Sequence, residues 1–136
     1  MKVVIYALVL MGSFLFTPTV YCQQLTDREW DVYNDYVATD YFWSEDYYGT
    51  GYEAIYSEIA DRYGISVDRV KWIIEEGLKR QPTNREWQIF YEVDPILVKT
   101  DDKGTYQGIA NKYGLSLGEL CALYDRCIYW EAQNSF

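Results

Sequence analysis

Tyr56-Ser-Glu-Ile-Ala-Asp-Arg-Tyr-Gly-Ile-Ser-Val-Asp-Arg-Val-Lys-Trp-Ile73 is matched fifty residues on by Tyr106-Gln-Gly-Ile-Ala-Asn-Lys-Tyr-Gly-Leu-Ser-Leu-Gly-Glu-Leu-Cys-Ala-Leu123. Ile-Ala, Tyr-Gly and Ser recur at identical spacing, the mark of an internal duplication. Positions common to both copies report a packing scheme, so function has to lie where the copies differ. Within the first copy Ile59, Ala60 and Tyr63 make one apolar stripe at helical spacing. Gly64 then offers a left-handed turn and Ser66 a helix cap, after which Val67, Val70, Ile73 and Ile74 resume the helical period. In the second copy Ile109, Ala110, Tyr113, Gly114, Ser116, Leu117, Leu120 and Leu123 take the same places. Ile59, Ala60, Val70, Ile73, Ile109, Ala110, Leu120 and Leu123 are the expected core.

The match extends upstream, where Thr26-Asp-Arg-Glu-Trp-Asp-Val-Tyr33 parallels Thr83-Asn-Arg-Glu-Trp-Gln-Ile-Phe90. Thr-x-x-Glu is a capping box: the Thr oxygen accepts a free N–H of the first turn, and the Glu reaches back to the cap N–H. Trp30, Tyr33 and Val37, and likewise Trp87, Phe90 and Tyr91, then fall on one helical face. Pro95 is expected to stop the second of these helices at Asp94, and Gly77 to close the last helix of the first copy. The chain therefore reads as all-α, with helices over 26–42, 52–63, 66–76, 83–94, 104–113 and 116–126. Two trihelical repeats, 23–82 and 83–136, are expected to follow a leader, 1–22.

That leader has a positive start at Lys2 and an apolar run from Val3 to Phe16, a length suited to a secretory signal and short for a membrane span. Cleavage after Cys22 would leave Gln23 first and place the protein outside the cytoplasm, secreted or periplasmic. An uncleaved anchor is one alternative; an acylated Cys22 is another, disfavoured by bulky Tyr21. The 114 residues that remain have room for one domain or two very small ones sharing a core. The full chain has 12 basic and 21 acidic residues and a net charge of −9. Loss of Lys2 with the leader makes that about −10, a field that repels phosphate backbones and favours a cationic partner. There is no histidine, and hence neither the usual general base near neutral pH nor the commonest metal ligand.

Small Ala60, Gly64 four residues later, and apolar Val70 and Ile73 beyond resemble the helix-turn-helix, in which Ala permits a close helix crossing and Gly makes the bend. Leu25-Thr-Asp-Arg-Glu29 is similar to the opening of the response-regulator and sigma-factor region-four versions of that fold. The resemblance covers most of both repeats and implies a trihelical scaffold. It also implies a DNA-reading helix bearing Arg69, Lys71, Lys79 and Arg80. Against Asp68, Glu75 and Glu76 these leave a net of +1, and the matching helix of the second repeat has −1, weak for a phosphate-binding surface. A second resemblance joins Val98 to Leu120 to the front half of a LysM module, which implies cell-wall glycan binding by a strand-helix-helix-strand unit. Lys103-Gly-Thr-Tyr106 stands where that family has Gly-Asp-Thr-Leu, and no closing strand motif follows Asp125.

The copies differ most between their first and second helices: Trp30 to Ile59 spans 29 positions, Trp87 to Ile109 only 22. The seven extra residues fall within 38–51, where Tyr41, Phe42, Trp43, Tyr47 and Tyr48 mix with Glu45 and Asp46. Aromatic rings supply contact area at little entropic cost, and carboxylates among them suit a basic protein partner or, alternatively, a sugar stacked on Trp43. These seven residues are the expected binding surface, against the plainer reading that the rings cap a small core. No nucleophile motif, phosphate loop or metal-ligand spacing is present, so the sequence calls for no enzyme activity, cofactor or metal. Cys121 and Cys127 are six apart, which a continuous helix would hold too far apart to bridge. Because Cys127 aligns with Gly77, the expected helix stop, a Cys121–Cys127 disulfide in an oxidising compartment is the expectation, with buried free thiols as the alternative.

Overall fold

A computed structural model describes residues 24–42 and 51–135. Six helices account for most of them: α1 (Asp27–Tyr41), α2 (Tyr52–Tyr63), α3 (Val67–Lys79), α4 (Asn84–Leu97), α5 (Lys103–Tyr113) and α6 (Leu117–Gln133). The fold is all-α. Both expected capping boxes are formed. The Thr26 amide donates to Glu29 at 2.9 Å and the Glu29 amide to the Thr26 hydroxyl at 3.3 Å. The Thr83–Glu86 pair repeats this at 2.7 and 3.2 Å. A third box, Ser116 with Glu119, opens α6. Gly64 and Gly114 sit at φ of 65° and 68° and close α2 and α5. The amides of Ile65 and Leu115 reach back to the carbonyls of Ala60 and Ala110 at 3.0 and 2.9 Å, the Schellman closure that an L-residue at the glycine would strain.

Helix ends departed from expectation where tertiary contacts overrode local signals. Gly77 does not stop α3, which runs on to Lys79. Its missing side chain serves packing instead: a Cβ there would lie 2.5 Å from the ring of Tyr33, which is fully buried. Pro95 does not end α4 at Asp94, and the helix continues to Leu97. The ring forfeits one hydrogen bond, to Tyr91, whose exposed position leaves that carbonyl to water, while buried Leu97 anchors the last turn. Tyr91 is itself 61% exposed and not part of the core face, and Ile109 is only half-buried. The other seven expected core residues are buried. No strand occurs among the described residues, so the paired strands of a LysM unit are replaced by the end of α4 and by α6.

All six helices contribute to one core. α1 packs on α2 and α3, α6 packs on α4 and α5, and the most extensive helix interface is α1 against α6. In α6 the residues Leu120, Leu123 and Cys127 repeat the stripe Val70, Ile73 and Gly77 of α3. Cys121, Ala122, Tyr124 and Arg126 are buried as well, because α6 meets α1 on a further face. Gly118 lets the first turn of α6 lie against α1, since a Cβ there would be 3.0 Å from the Asn34 carbonyl. Each fully buried aliphatic side chain contributes roughly 1.5–3 kcal/mol to this arrangement.

Two helix glycines should respond oppositely to alanine. Gly77→Ala drives a methyl group into the Tyr33 ring and is expected to destabilise by about 1–3 kcal/mol despite the better helix propensity. Gly108→Ala, where a Cβ meets nothing within 4 Å, should stabilise by up to about 1 kcal/mol. Urea denaturation of both variants checks the pair; equal signs would contradict the packing described.

Candidate functional site

Among the described residues, one face of α1 is left open. Asp31, Asn34, Asp35, Ala38, Thr39 and Phe42 follow one another at helical spacing and form the wall of a groove of about 960 Å³. Glu58, Arg62 and Tyr63 from the end of α2 close one side, while Lys103 and residues 116–119, at the starts of α5 and α6, close the other. The four carboxylates, Asp31, Asp35, Glu58 and Glu119, face two cations. Arg62 donates from Nη1 to both Asp35 oxygens at 2.7 Å and from Nη2 to Glu58 at 2.5 Å. Lys103 stands over the Phe42 ring, 5.8 Å from its centre. The wall is thus acidic at Asp31 and Asp35 and aromatic at Phe42.

Of the seven residues expected to bind, Tyr41 and Phe42 are described; Trp43, Glu45, Asp46, Tyr47 and Tyr48 lie outside the described residues. Tyr41 and Phe42 both pack edge-on against Tyr106, with centroids 6.0 and 5.3 Å away. They therefore join the end of α1 to α5. Burial, followed by the charge of Asp125, pushes the Tyr41 hydroxyl well above the usual tyrosine range.

The four bases that the helix-turn-helix resemblance singles out each meet a carboxylate of their own chain. Arg69 pairs with Glu29 and lies over Trp72, Lys71 pairs with Glu53 at 2.8 Å, and Lys79 with Glu76 at 2.6 Å. Arg80 donates to Glu86 at 2.5 Å. The Cys121–Cys127 disulfide is not formed: both thiols are buried and free, because α6 runs unbroken through them. Six residues of helix rise about 9 Å, beyond the reach of a disulfide. Burial pushes both thiols up to about 12, which leaves them protonated and inert at neutral pH.

A second, smaller groove of about 700 Å³ runs over a charged cluster that the sequence reading missed. Glu86 Oε1 accepts from Arg126 and from Arg80, both at 2.5 Å. Arg126 is only 3% exposed, and both guanidiniums stand over the Trp30 ring. Burial works against the Glu86 carboxylate. The Thr83 amide and the two arginines outweigh it and hold the group below its usual range. On the α1–α6 interface a pair of acids behaves differently. Asp125 is pushed up to about 6, first by burial and then by the charge of Asp40, with Arg126 opposing; burial also raises Asp40.

Among the described residues no group of three acidic, cysteine or histidine side chains is placed to hold a metal ion, and no helix is long and apolar enough to cross a membrane. The only sequence signal for the open groove is the Asp31, Asp35 pair at one-turn spacing; its other walls come from elements far along the chain. No protein-family model matches the sequence, and no curated protein or solved structure matches it.

Two ionisable groups yield measurable expectations. Glu86→Gln removes the one carboxylate shared by two guanidiniums and strands buried Arg126; the loss should be about 3 kcal/mol in urea denaturation. A loss under about 1 kcal/mol would mean that the cluster is dispensable. Asp125 has the opposite character. An acid with a higher pKa folded than unfolded favours the folded state while protonated. Its destabilising contribution is absent below about pH 4, grows between about 4 and 6, and is full above that. The depressed Glu86 loses stability in acid instead. Asp125→Asn should therefore raise the melting midpoint by a few degrees at pH 7.5 and hardly at pH 4. An equal shift at both pH values would refute the assignment.

Proposed function

We propose that the chain is a non-enzymatic binding protein, exported by way of residues 1–22, which uses two helix-turn-helix-like trihelical repeats as a scaffold to hold a basic protein partner. The observation that carries this reading is the open α1 face. It is acidic at Asp31 and Asp35, aromatic at Phe42, and leads directly into the aromatic and acidic stretch from Trp43 to Tyr48. A net charge of −9 favours encounter with a cationic surface and opposes approach to phosphate backbones or anionic lipid. The pairing of Arg69, Lys71, Lys79 and Arg80 with carboxylates supports the same choice. A DNA phosphate would have to compete with groups already bonded in the folded chain.

The test uses immobilised protein challenged with the secreted protein fraction of its source, at low and physiological salt. Trp43→Ala or Tyr47→Ala should weaken capture of a basic protein by about 2 kcal/mol or more with the fold unchanged by circular dichroism. Neutralising Arg69, Lys71, Lys79 and Arg80 together should leave capture nearly untouched. Salt-sensitive binding of duplex DNA that collapses in the four-base variant would replace this reading with the nucleic-acid one.

A further inference from the structure

The groove already holds a guanidinium, that of Arg62. Its Nη1 lies 2.7 Å from each Asp35 oxygen and its Nη2 2.5 Å from Glu58, so the guanidinium is held between two carboxylates by charge-assisted hydrogen bonds. The fold does not require this arrangement. At the matching positions of the second half Glu58 is replaced by Gly108 and Arg62 by Lys112. Lys112 rests over the Tyr113 ring at 5.1 Å, and Glu92, in the place of Asp35, accepts from the Tyr113 hydroxyl. Nor is Arg62 part of the core: its side chain is 44% exposed. One turn away on the same face, the Asp31 carboxylate accepts no hydrogen bond and makes no ion pair among the described residues.

We propose that this groove reads arginine side chains on an extended peptide segment, and that Arg62 is the chain's own occupant of the slot, displaced when the partner's arginine arrives. The proposal rests on the groove being the binding surface. Four residues of helix separate Asp31 from Asp35 by about 6 Å along the axis. In an extended peptide, side chains two apart on one face are separated by about 6.6 Å. Arginines at alternate positions therefore fit the two acids in register. Lys103, over Phe42, repels a further cation at the far end, so the segment is basic at one end and apolar or aromatic at the other. Until displaced, Arg62 neutralises the slot and lowers affinity for any cation, which makes binding selective for a ligand that, like Arg62, bonds Asp35 and Glu58 from two separate nitrogens.

The probe is a fluorescein-labelled heptapeptide, Arg-Ser-Arg-Ser-Gly-Ser-Phe, with a lysine counterpart and spermidine as comparisons, measured by fluorescence anisotropy at low ionic strength. Arg62→Ala should bind the arginine peptide about three- to tenfold more tightly than wild type, and Asp35→Asn should weaken binding by a similar factor. The lysine peptide and spermidine should bind more weakly and gain less from Arg62→Ala. Melting curves check that each variant stays folded; a charge-conserving Arg62→Lys variant should behave like wild type or bind slightly more tightly. Unchanged or weaker binding in Arg62→Ala, or equal binding of all three probes, overturns the proposal. If capture of a basic protein still depends on Trp43 and Tyr47 in that case, the functional reading survives and only the arginine slot is lost. Capture indifferent to both rings and groove removes the functional reading itself.

Discussion

A single carboxylate oxygen, Glu86 Oε1, takes hydrogen bonds from two guanidiniums, and that sharing ties together α4, α6 and the end of α3. Arg126 is almost fully buried, and an unpaired cation in that position would cost several kcal/mol. Glu86 also completes the capping box that starts α4, so the residue that neutralises α6 is the residue that begins α4. Arg80 brings in the end of α3, and the Trp30 ring from α1 lies against both arginines. Tyr33 Oη, Arg80 Nε and Arg126 Nε are buried without a protein partner. The cluster thus carries a desolvation cost of its own, which its ion pairs have to offset.

Once α1 and α6 are pinned in this way, close approach along their length follows from glycine and small residues. Gly77 admits the Tyr33 ring and Gly118 admits the α1 backbone at Asn34. The equivalent positions in the other half are Cys127 and Asp68, so the glycines mark the places where the halves meet and their environments diverge. Farther along, Trp130 donates from its indole to the Leu78 carbonyl at 2.9 Å and extends the same junction to the end of α6. The open groove is the complement of this junction: the part of the α1 surface that α6 does not cover. Its acidic lining follows from a chain rich in carboxylates, five of whose cations, Arg69, Lys71, Lys79, Arg80 and Arg126, are committed to ion pairs elsewhere.

The differences between the two matched segments divide into those the packing explains and those it leaves over. Cys121, Tyr124 and Arg126, against Lys71, Ile74 and Glu76, reflect a helix buried on two faces rather than one. Glu58 and Arg62, against Gly108 and Lys112, have no such account in the core, and they line the open groove.

Local backbone chemistry was legible in the sequence alone. Thr26 with Glu29, Thr83 with Glu86, and Gly64 and Gly114 act within four or five residues of themselves, so the all-α character, the helix starts and two helix ends followed from spacing. The apolar stripes through Ile59, Val70, Ile73, Leu120 and Leu123 followed for the same reason. Tertiary structure alone decided that Gly77 is a packing contact and not a stop, that Pro95 lies within a helix, and that Cys121 and Cys127 remain free. It also joined Glu86 to Arg126 and Arg62 to Asp35, partners 40 and 27 residues apart. Capping and helical periodicity are short-range and repeat along the chain. The charge cluster and the groove depend on which helix faces are brought together, and that is set by the summed burial of side chains distant in sequence, a quantity no single stretch carries.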